Sequence, residues 1–576
     1  MQEHFFNDKI LYNFILKERK LKKLDNLKNY LNSNKNFLFI FIFVLFMLCL
    51  PLMQYKINVA DDYLFHFSRI QSITDSLKQG IFPVKVHYNM ANTCGYGTGL
   101  FYPNLFLYIP AIINCFINNI GLSYKLFLVI ILSALFFISY ISVKAVIKDS
   151  KTALLSTILI MCSNALMLNL YNRTALGELL GLVFITPIVC GLYNYIHDDF
   201  DKPYILAIGF LGVANSHLIT TLICIIFAIL YFLINIKSSI KNPKKLLKLV
   251  LTAIIVTLIS TSFWLPMLEQ LSAQTFKLSE PWTHIKDDAY YPVDLFGNGK
   301  FSLGIIITLC IPLILYGIFD KEISKSKKLF AIFAIFFMFL MLFSPFWNLT
   351  NDYSNIIQFK WRLLGITTIL SCISIAIFVK HYSDKLNIKY EYLFTIFAVA
   401  SAAICIINME EIISNHDNYK SEYISTIIYN IPESIGGGQE YLPIETDYDY
   451  LLENSFIVST NTGAKTAIAK ENFKGTFVLE DYYEATWAEV PFVYYLGYIS
   501  NITTPAGEVI PLQVEKSDNG LLKLIIPEGV YGIVNVWYDG TQLQEFSYII
   551  SVITILCVCM FTGIYKFKKY KKASKK

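Results

Sequence analysis

Apolar runs long enough to cross a bilayer recur along this chain of 576 residues, and no soluble core could absorb so many of them. Spans are expected at 37–53, 124–146, 152–170, 179–196, 203–215, 217–236, 246–266, 301–319, 329–344, 361–380, 391–409 and 546–566. Charged residues are 16% of the chain, where a soluble domain of this size carries about a quarter. The expected fold class is therefore a polytopic all-α membrane protein with about 12 transmembrane helices, carrying a β-rich domain before the last one.

The net charge of +5 conceals a strong segregation. Residues 1–36 hold eight Lys/Arg against four acids, with apolar residues at helical spacing (Ile10, Leu11, Phe14, Ile15), and read as a basic amphipathic segment on the cytoplasmic membrane surface. The first apolar run begins too late for a cleavable signal and should stay as an anchor. A further apolar stretch at 101–118 decides parity. If it does not cross, the lysine-bearing loops near Lys144–Lys151, Lys237–Lys248, Lys321–Lys328 and Lys380–Lys389 all fall inside, with the seven-lysine tail from Lys566. The positive-inside bias outweighs one hydropathy judgement. Thus 101–118, broken by Pro103 and Pro110, is expected at the outer interface within a first outer loop of 54–123. The membrane domain then runs 37–409, and 546–576 supplies the last helix and a cytoplasmic tail.

Residues 410–545 carry 21 acidic residues, six lysines and no arginine, as suits a translocated domain. Short β-rich runs such as Leu521–Ile526 and Gly532–Trp537, with turn signals at Asp518-Asn519-Gly520 and Asp539-Gly540, predict an extracytoplasmic β-sandwich. Of the 11 cysteines none lies between Glu410 and Glu545, which excludes a disulfide framework there.

This topology gathers ionisable residues at one membrane face. Asp61, Asp62, His66 and Arg69 lie in the first outer loop. Arg173 and Glu178 lie between the third and fourth spans, and His217 between the fifth and sixth. Glu269 follows the seventh, and Lys360 and Arg362 enter the tenth. Such a set suits glycosyl transfer from a lipid-linked sugar phosphate. A carboxylate, Asp62 or Asp61, takes the proton of an acceptor hydroxyl. Cations (Arg69, Arg173, Lys360, Arg362) and His217 meet the charge developing on the departing phosphate. His66, Glu178 and Glu269 support the set. The aspartate pair could instead hold Mg²⁺ or Mn²⁺, or Asp62 could merely cap the helix that follows it. No Walker loop or GxGxxG follows a strand, and the basic patches are membrane flanks, so nucleotide and nucleic-acid binding have no support.

Asp62-Tyr-Leu-Phe-His66-Phe-Ser-Arg69-Ile70, Gly80-Ile-Phe-Pro83 and Gly95-Tyr-Gly97 leading to Phe101-Tyr-Pro103 resemble bacterial polytopic proteins labelled 6-pyruvoyl-tetrahydropterin synthase-related, which are similar in turn to YfhO-like membrane glycosyltransferases. Arg173-Thr-Ala-Leu-Gly-Glu178, Ser216-His217-Leu218, Phe263-Trp-Leu-Pro266, Gln439-Glu-Tyr-Leu-Pro443 and Val490–Tyr498 extend the resemblance over most of the chain. It implies a GT-C fold and inverting transfer from a polyprenyl-phosphate donor to a cell-envelope acceptor such as teichoic acid or a glycolipid, with the acidic motif on Asp62 and Asp61 beside it. The pterin chemistry itself is not expected, because the eight histidines are scattered over both membrane sides with no His-x-His pair. A flippase for lipid-linked sugars and a non-catalytic envelope scaffold are the competing readings.

Overall fold

The computed structural model describes residues 35–54, 57–58, 60–280, 283–414, 421–422, 435–481 and 484–573. Residues 1–34 of the expected basic segment lie outside the described residues. Two compact units divide the chain, Met1–Gln54 and Tyr55–Lys576. The first contributes one described apolar helix, Lys35–Met53. The β-rich domain and the candidate site described below belong to the second.

Among the described residues six helices are long and apolar enough to cross a membrane, including Lys35–Met53, Ile120–Ile147, Leu176–His197, Lys360–Lys385, Tyr390–Glu410 and Gln542–Ile564. Three helix pairs reach that length only together, bent by 43° (Ser150–Met161 with Asn164–Asn172), 67° (Pro243–Ile259 with Thr261–Ala273) and 84° (Lys325–Leu342 with Ser344–Ile357). The chain is a multi-pass membrane protein, and its described residues supply six such helices, or up to nine if each bent pair is one span. The expected count of about 12 also included 203–215, 217–236 and 301–319. In the structure these are the short helices Pro203–Ala214 and Leu218–Ile234, separated at Asn215–His217, and the pieces Ile305–Leu309 and Ile311–Phe319. Local chemistry explains the division. Pro312 and Pro345 sit in first helical turns, where a missing N–H leaves no bond unmade, so each starts a new helix inside an apolar run. Hydropathy sums over such a break without registering it.

Leu176–His197 is buried almost along its whole length, as an all-round apolar helix must be. Small residues let its neighbours close in: a Cβ on Gly191 would lie 2.7 Å from the Leu206 Cα.

The segment after Asp62 forms helix Tyr63–Lys78, a hairpin-like bridge between His87 and Tyr96, and the helix Leu105–Ile117, too short to span by itself. Beyond it, a two-residue ladder joins β1 (Ile57–Asn58) to β2 (Ser421–Glu422). The C-terminal β-rich domain then contains β3 (Ile457–Thr460), β4 (Lys465–Ala467), β5 (Ala469–Glu471), β6 (Lys474–Leu479), β7 (Trp487–Val493), β8 (Tyr498–Thr503), β9 (Val509–Lys516), β10 (Leu521–Ile525) and β11 (Gly532–Tyr538). Their order is β4-β3-β7-β10-β9-β8-β11-β6-β5. One half of β9 pairs with β8 (Leu512 opposite Ser500) and the other with β10 (Gln513 opposite Ile525), so this strand serves two half-sheets. Residues of both halves, among them Val458, Val490, Leu524, Phe477, Ile502 and Val536, share one apolar core. The turn between β9 and β10 needs its glycine. Gly520 has φ +71°, and a Cβ there would meet the Thr446 Oγ1 at 2.2 Å.

That core also contains Val86, Met90, Cys94, Tyr96, Leu100, Phe101 and Phe276. The first loop is thus built into the β-rich domain. The Val493 N–H donates to the Cys94 carbonyl at 3.0 Å, and the Tyr538 N–H to the Tyr88 hydroxyl at 2.7 Å. This docking joins residues 450 positions apart in the chain.

Candidate functional site

Asp62 occupies the N-cap position of Tyr63–Lys78, yet its side chain makes no capping bond. Its carboxylate reaches Arg173, with Oδ2 3.0 Å from Nη2, and its own N–H donates to the Arg173 carbonyl at 3.0 Å. Arg173 is delivered by an irregular backbone. A π-turn at Leu168–Asn172 closes with the Arg173 N–H donating to the Leu168 carbonyl at 2.8 Å. The next residue, Thr174, has φ +52°, an unfavourable region for a β-branched side chain that costs about 1–3 kcal/mol. Helical disruption and backbone strain concentrated at one arginine are common companions of function.

From Arg173 the charges form a continuous chain. Its Nη1 lies 3.0 Å from the Glu178 Oε1 and its Nε 3.7 Å from the Asp61 Oδ2. Asp61 is also met by the Lys300 Nζ at 3.1 Å, and Glu178 by the Arg362 Nε at 3.5 Å. The Arg173 guanidinium stacks 4.4 Å above Trp361, and Arg362 rests against Phe359 and Trp361 at 5.5 and 5.8 Å. Asp61 is the more exposed aspartate, its side chain 54% accessible against 38% for Asp62, 12% for Glu178 and 9% for Arg173. Packing against the cavity wall holds the Asp62 carboxyl above its usual range; Arg173 opposes this, and Glu178 and Asp61 add to it.

These groups line one cavity of about 1990 Å³, which also takes in His66 and His217. His217 caps Leu218–Ile234, its Nδ1 accepting the Thr220 N–H at 3.3 Å and lying 2.9 Å from the Thr220 hydroxyl. From this cap an apolar strip, Leu218, Ile219, Leu222 and Ile225, runs along one helix face into the cavity. So Asp61, Asp62, His66, Arg173, Glu178, His217 and Arg362, all singled out in the sequence, converge.

Three singled-out residues are engaged elsewhere. Arg69 is buried under Tyr102, 4.1 Å from the ring, and donates to the Pro103 carbonyl at 2.8 Å and the Asn104 Oδ1 at 2.9 Å. Lys360 donates from Nζ to the Asp288 main-chain carbonyl at 2.6 Å, and its N–H to the Asp288 carboxylate at 2.8 Å. Glu269 accepts from the Thr541 hydroxyl at 2.7 Å. These three tie down the first loop, the backbone at Asp288 and the start of the last helix. Conversely, Lys300, Asp288 and Glu440 line the cavity and were not singled out. Glu440 stood inside the motif Gln439–Pro443, which was the one signal pointing to it.

A divalent ion between Asp61 and Asp62 would compete with Lys300 and Arg173 for the two Oδ2 atoms, so the arrangement fits a cation-neutralised pair better than an oxygen cage. Elsewhere Asp320, Glu322 and His381 bring ligand atoms within 4.8 Å of one another, but the Lys385 ammonium already lies 3.4 and 3.1 Å from the two carboxylates.

The wall tolerates little added bulk. A Cβ on Gly177 would sit 1.8 Å from the Tyr102 hydroxyl, whose ring carries Arg69 and lies edge-on to His217. Gly177→Ala is expected to destabilise the protein by about 1–3 kcal/mol, read as a lower thermal midpoint in detergent. Tyr102→Phe should recover part of the loss; no recovery would place the clash elsewhere.

No family model matches the chain. Over 272 residues it is 25% identical to an uncharacterized protein of Lactococcus lactis subsp. cremoris (strain MG1363), covering 46% of this chain and 44% of that protein. The chain thus aligns with less than half the length of this curated relative. Among solved structures it is similar to the mycobacterial arabinofuranosyltransferase AftD, with a TM-score of 0.40 and 11% identity over 64% of this chain and 26% of that one. It is also similar to an Archaeoglobus fulgidus oligosaccharyltransferase, with a TM-score of 0.37 and 13% identity over 64% of this chain and 52% of the other. The functional reading below rests on the site itself.

Proposed function

We propose that this protein is an integral-membrane glycosyltransferase of the GT-C type. It would move a sugar, with inversion, from a polyprenyl-phosphate donor to a cell-envelope acceptor on the extracytoplasmic face, with both termini in the cytoplasm. One observation carries the reading: a chain of carboxylates and arginines lines a large cavity beside an apolar helix face. A lipid phosphate needs that combination, with the tail along Leu218, Ile219, Leu222 and Ile225 and the phosphate at Arg173, Arg362 and His217. Segregation of acidic and basic segments supports the orientation.

In this mechanism the acceptor hydroxyl attacks the anomeric carbon as Asp62 takes its proton, and the phosphate leaves with the lipid. Asp62 suits the role better than Asp61, being less exposed and held by both the main chain and the side chain of Arg173. Lys300 and Asp61 neutralise one another at the rim. Glu178 holds Arg173 and Arg362 facing the phosphate.

The pH dependence follows from the environment of Asp62. A base must be unprotonated, so transfer persists at neutral pH and declines as pH falls through the Asp62 value. That midpoint is expected above the ~3.9 of an ordinary aspartate, because burial raises it. A kcat–pH profile of the purified protein reads it. An acid limb below the ordinary value would argue against Asp62 as base.

A further inference from the structure

The cavity has two chemically different walls. Arg173, Arg362 and Lys300 stand on the side of the aspartates. A second stretch of the lining, Ile435–Tyr441 and Tyr448, carries three glycines, aromatic rings and a single charged side chain, Glu440. That strap is tightly held. The Leu278 N–H donates to the Glu440 carbonyl at 2.8 Å, the Tyr441 N–H to the Tyr96 hydroxyl at 3.0 Å, and the Tyr495 hydroxyl to the Tyr441 carbonyl at 2.8 Å.

The Glu440 carboxylate lies against the glycine run. A Cβ on Gly438 would meet Oε1 at 2.5 Å, and one on Gly436, whose φ is +88°, would come within 3.6 Å of Oε2 and 3.7 Å of the Phe65 ring. Phe65 stacks in turn on Tyr102, with 6.1 Å between centroids and 17° between planes. Among the described residues no cation lies within ion-pair distance of Glu440, in contrast to Asp61, Asp62 and Glu178.

We propose that Glu440, with the glycine run and Phe65 beside it, forms an acceptor subsite for an uncharged glycan, the carboxylate accepting hydrogen bonds from a pair of sugar hydroxyls. The proposal rests on the glycosyltransferase reading and narrows it. A carboxylate beside an aromatic face matches the hydroxyl edge and the C–H face of a sugar ring. An acceptor bearing phosphate or uronate would bring like charge against Glu440, which disfavours it. The two walls then divide the work: anionic donor on the arginines, neutral acceptor on the strap. Glu440 is a positioning residue, and the proton goes to Asp62.

The test uses purified full-length protein and three probes: farnesyl phosphate, cellotriose and trigalacturonate, with binding read by saturation-transfer NMR. Cellotriose is expected to bind more tightly than trigalacturonate. Glu440→Gln should weaken cellotriose about tenfold, as loss of a charged hydrogen bond does, and narrow the gap between the two sugars. Farnesyl phosphate should bind Glu440→Gln as it binds the wild type, which also shows that the variant is folded. Glu440→Asp should restore part of the cellotriose affinity. If farnesyl phosphate binds but cellotriose does not, or the two sugars bind alike, or Glu440→Gln changes neither, the acceptor proposal is overturned and the donor reading stands. If farnesyl phosphate fails to bind the wild type, the glycosyltransferase reading falls and this proposal with it.

Discussion

Asp62→Asn is expected to lower sugar transfer by about 10²–10⁴-fold, the range for loss of a positioned general base, with protein levels unchanged. The substitution is conservative in structure. The Asp62 N–H still reaches the Arg173 carbonyl, and the remaining amide oxygen can still accept from Nη2. What disappears is the capacity to take a proton. Asp61→Asn should cost far less, because Asp61 is more exposed and chiefly answers Lys300 at the rim. The measurement is an envelope sugar analysis of cells expressing each variant, paired with transfer by the purified protein. Unchanged glycosylation in Asp62→Asn at normal protein levels would remove Asp62 from the mechanism. A larger loss in Asp61→Asn would reverse the roles of the two aspartates.

Arg173→Ala should combine two losses. The side chain is bonded to Asp62 and Glu178 and lies on Trp361, so its removal leaves Glu178, only 12% exposed, with Arg362 at 3.5 Å as its remaining ion-pair partner. Breaking a buried pair from one side costs about 3–5 kcal/mol, seen as a lower unfolding midpoint in detergent. Glu178→Gln added to Arg173→Ala should recover little of that stability, because the buried Arg362 would then lose its own carboxylate partner. It should not recover farnesyl phosphate binding, since the cation facing the phosphate is still missing. Arg173→Lys should fall between, keeping the charge but not the planar fork that serves several carboxylates at once. If Arg173→Ala binds farnesyl phosphate normally, the donor phosphate sits elsewhere.

Much of the candidate site was legible as residue type and position. Asp62, Arg173, Glu178, His217 and Arg362 stood out because the topology read from charge gathers a carboxylate pair, histidines and several cations at one membrane face. Arg69, Lys360 and Glu269 satisfied the same criterion, yet they hold main-chain carbonyls or a threonine hydroxyl instead of facing the cavity. Position along the chain cannot separate these groups, because both kinds occupy span ends. Lys300 and Glu440 lie in polar segments where charged residues are ordinary, so neither stands out by type. Only packing over long sequence separations places Lys300 on Asp61 and lays Glu440 against the glycine run.

The amino-acid sequence by itself determined that this chain is a multi-pass membrane protein with a β-rich segment before its last helix, because bilayer hydropathy and strand alternation are properties of consecutive residues. It also marked the aspartate pair in the first loop as the place to look. The tertiary structure decided where apolar runs divide into short helices, which charges meet, and that the first loop shares a core with the β-rich domain. Those outcomes depend on which distant surfaces fit together, through contacts such as Arg173 with Asp62 and Val493 with Cys94, and no local period or composition encodes such a pairing.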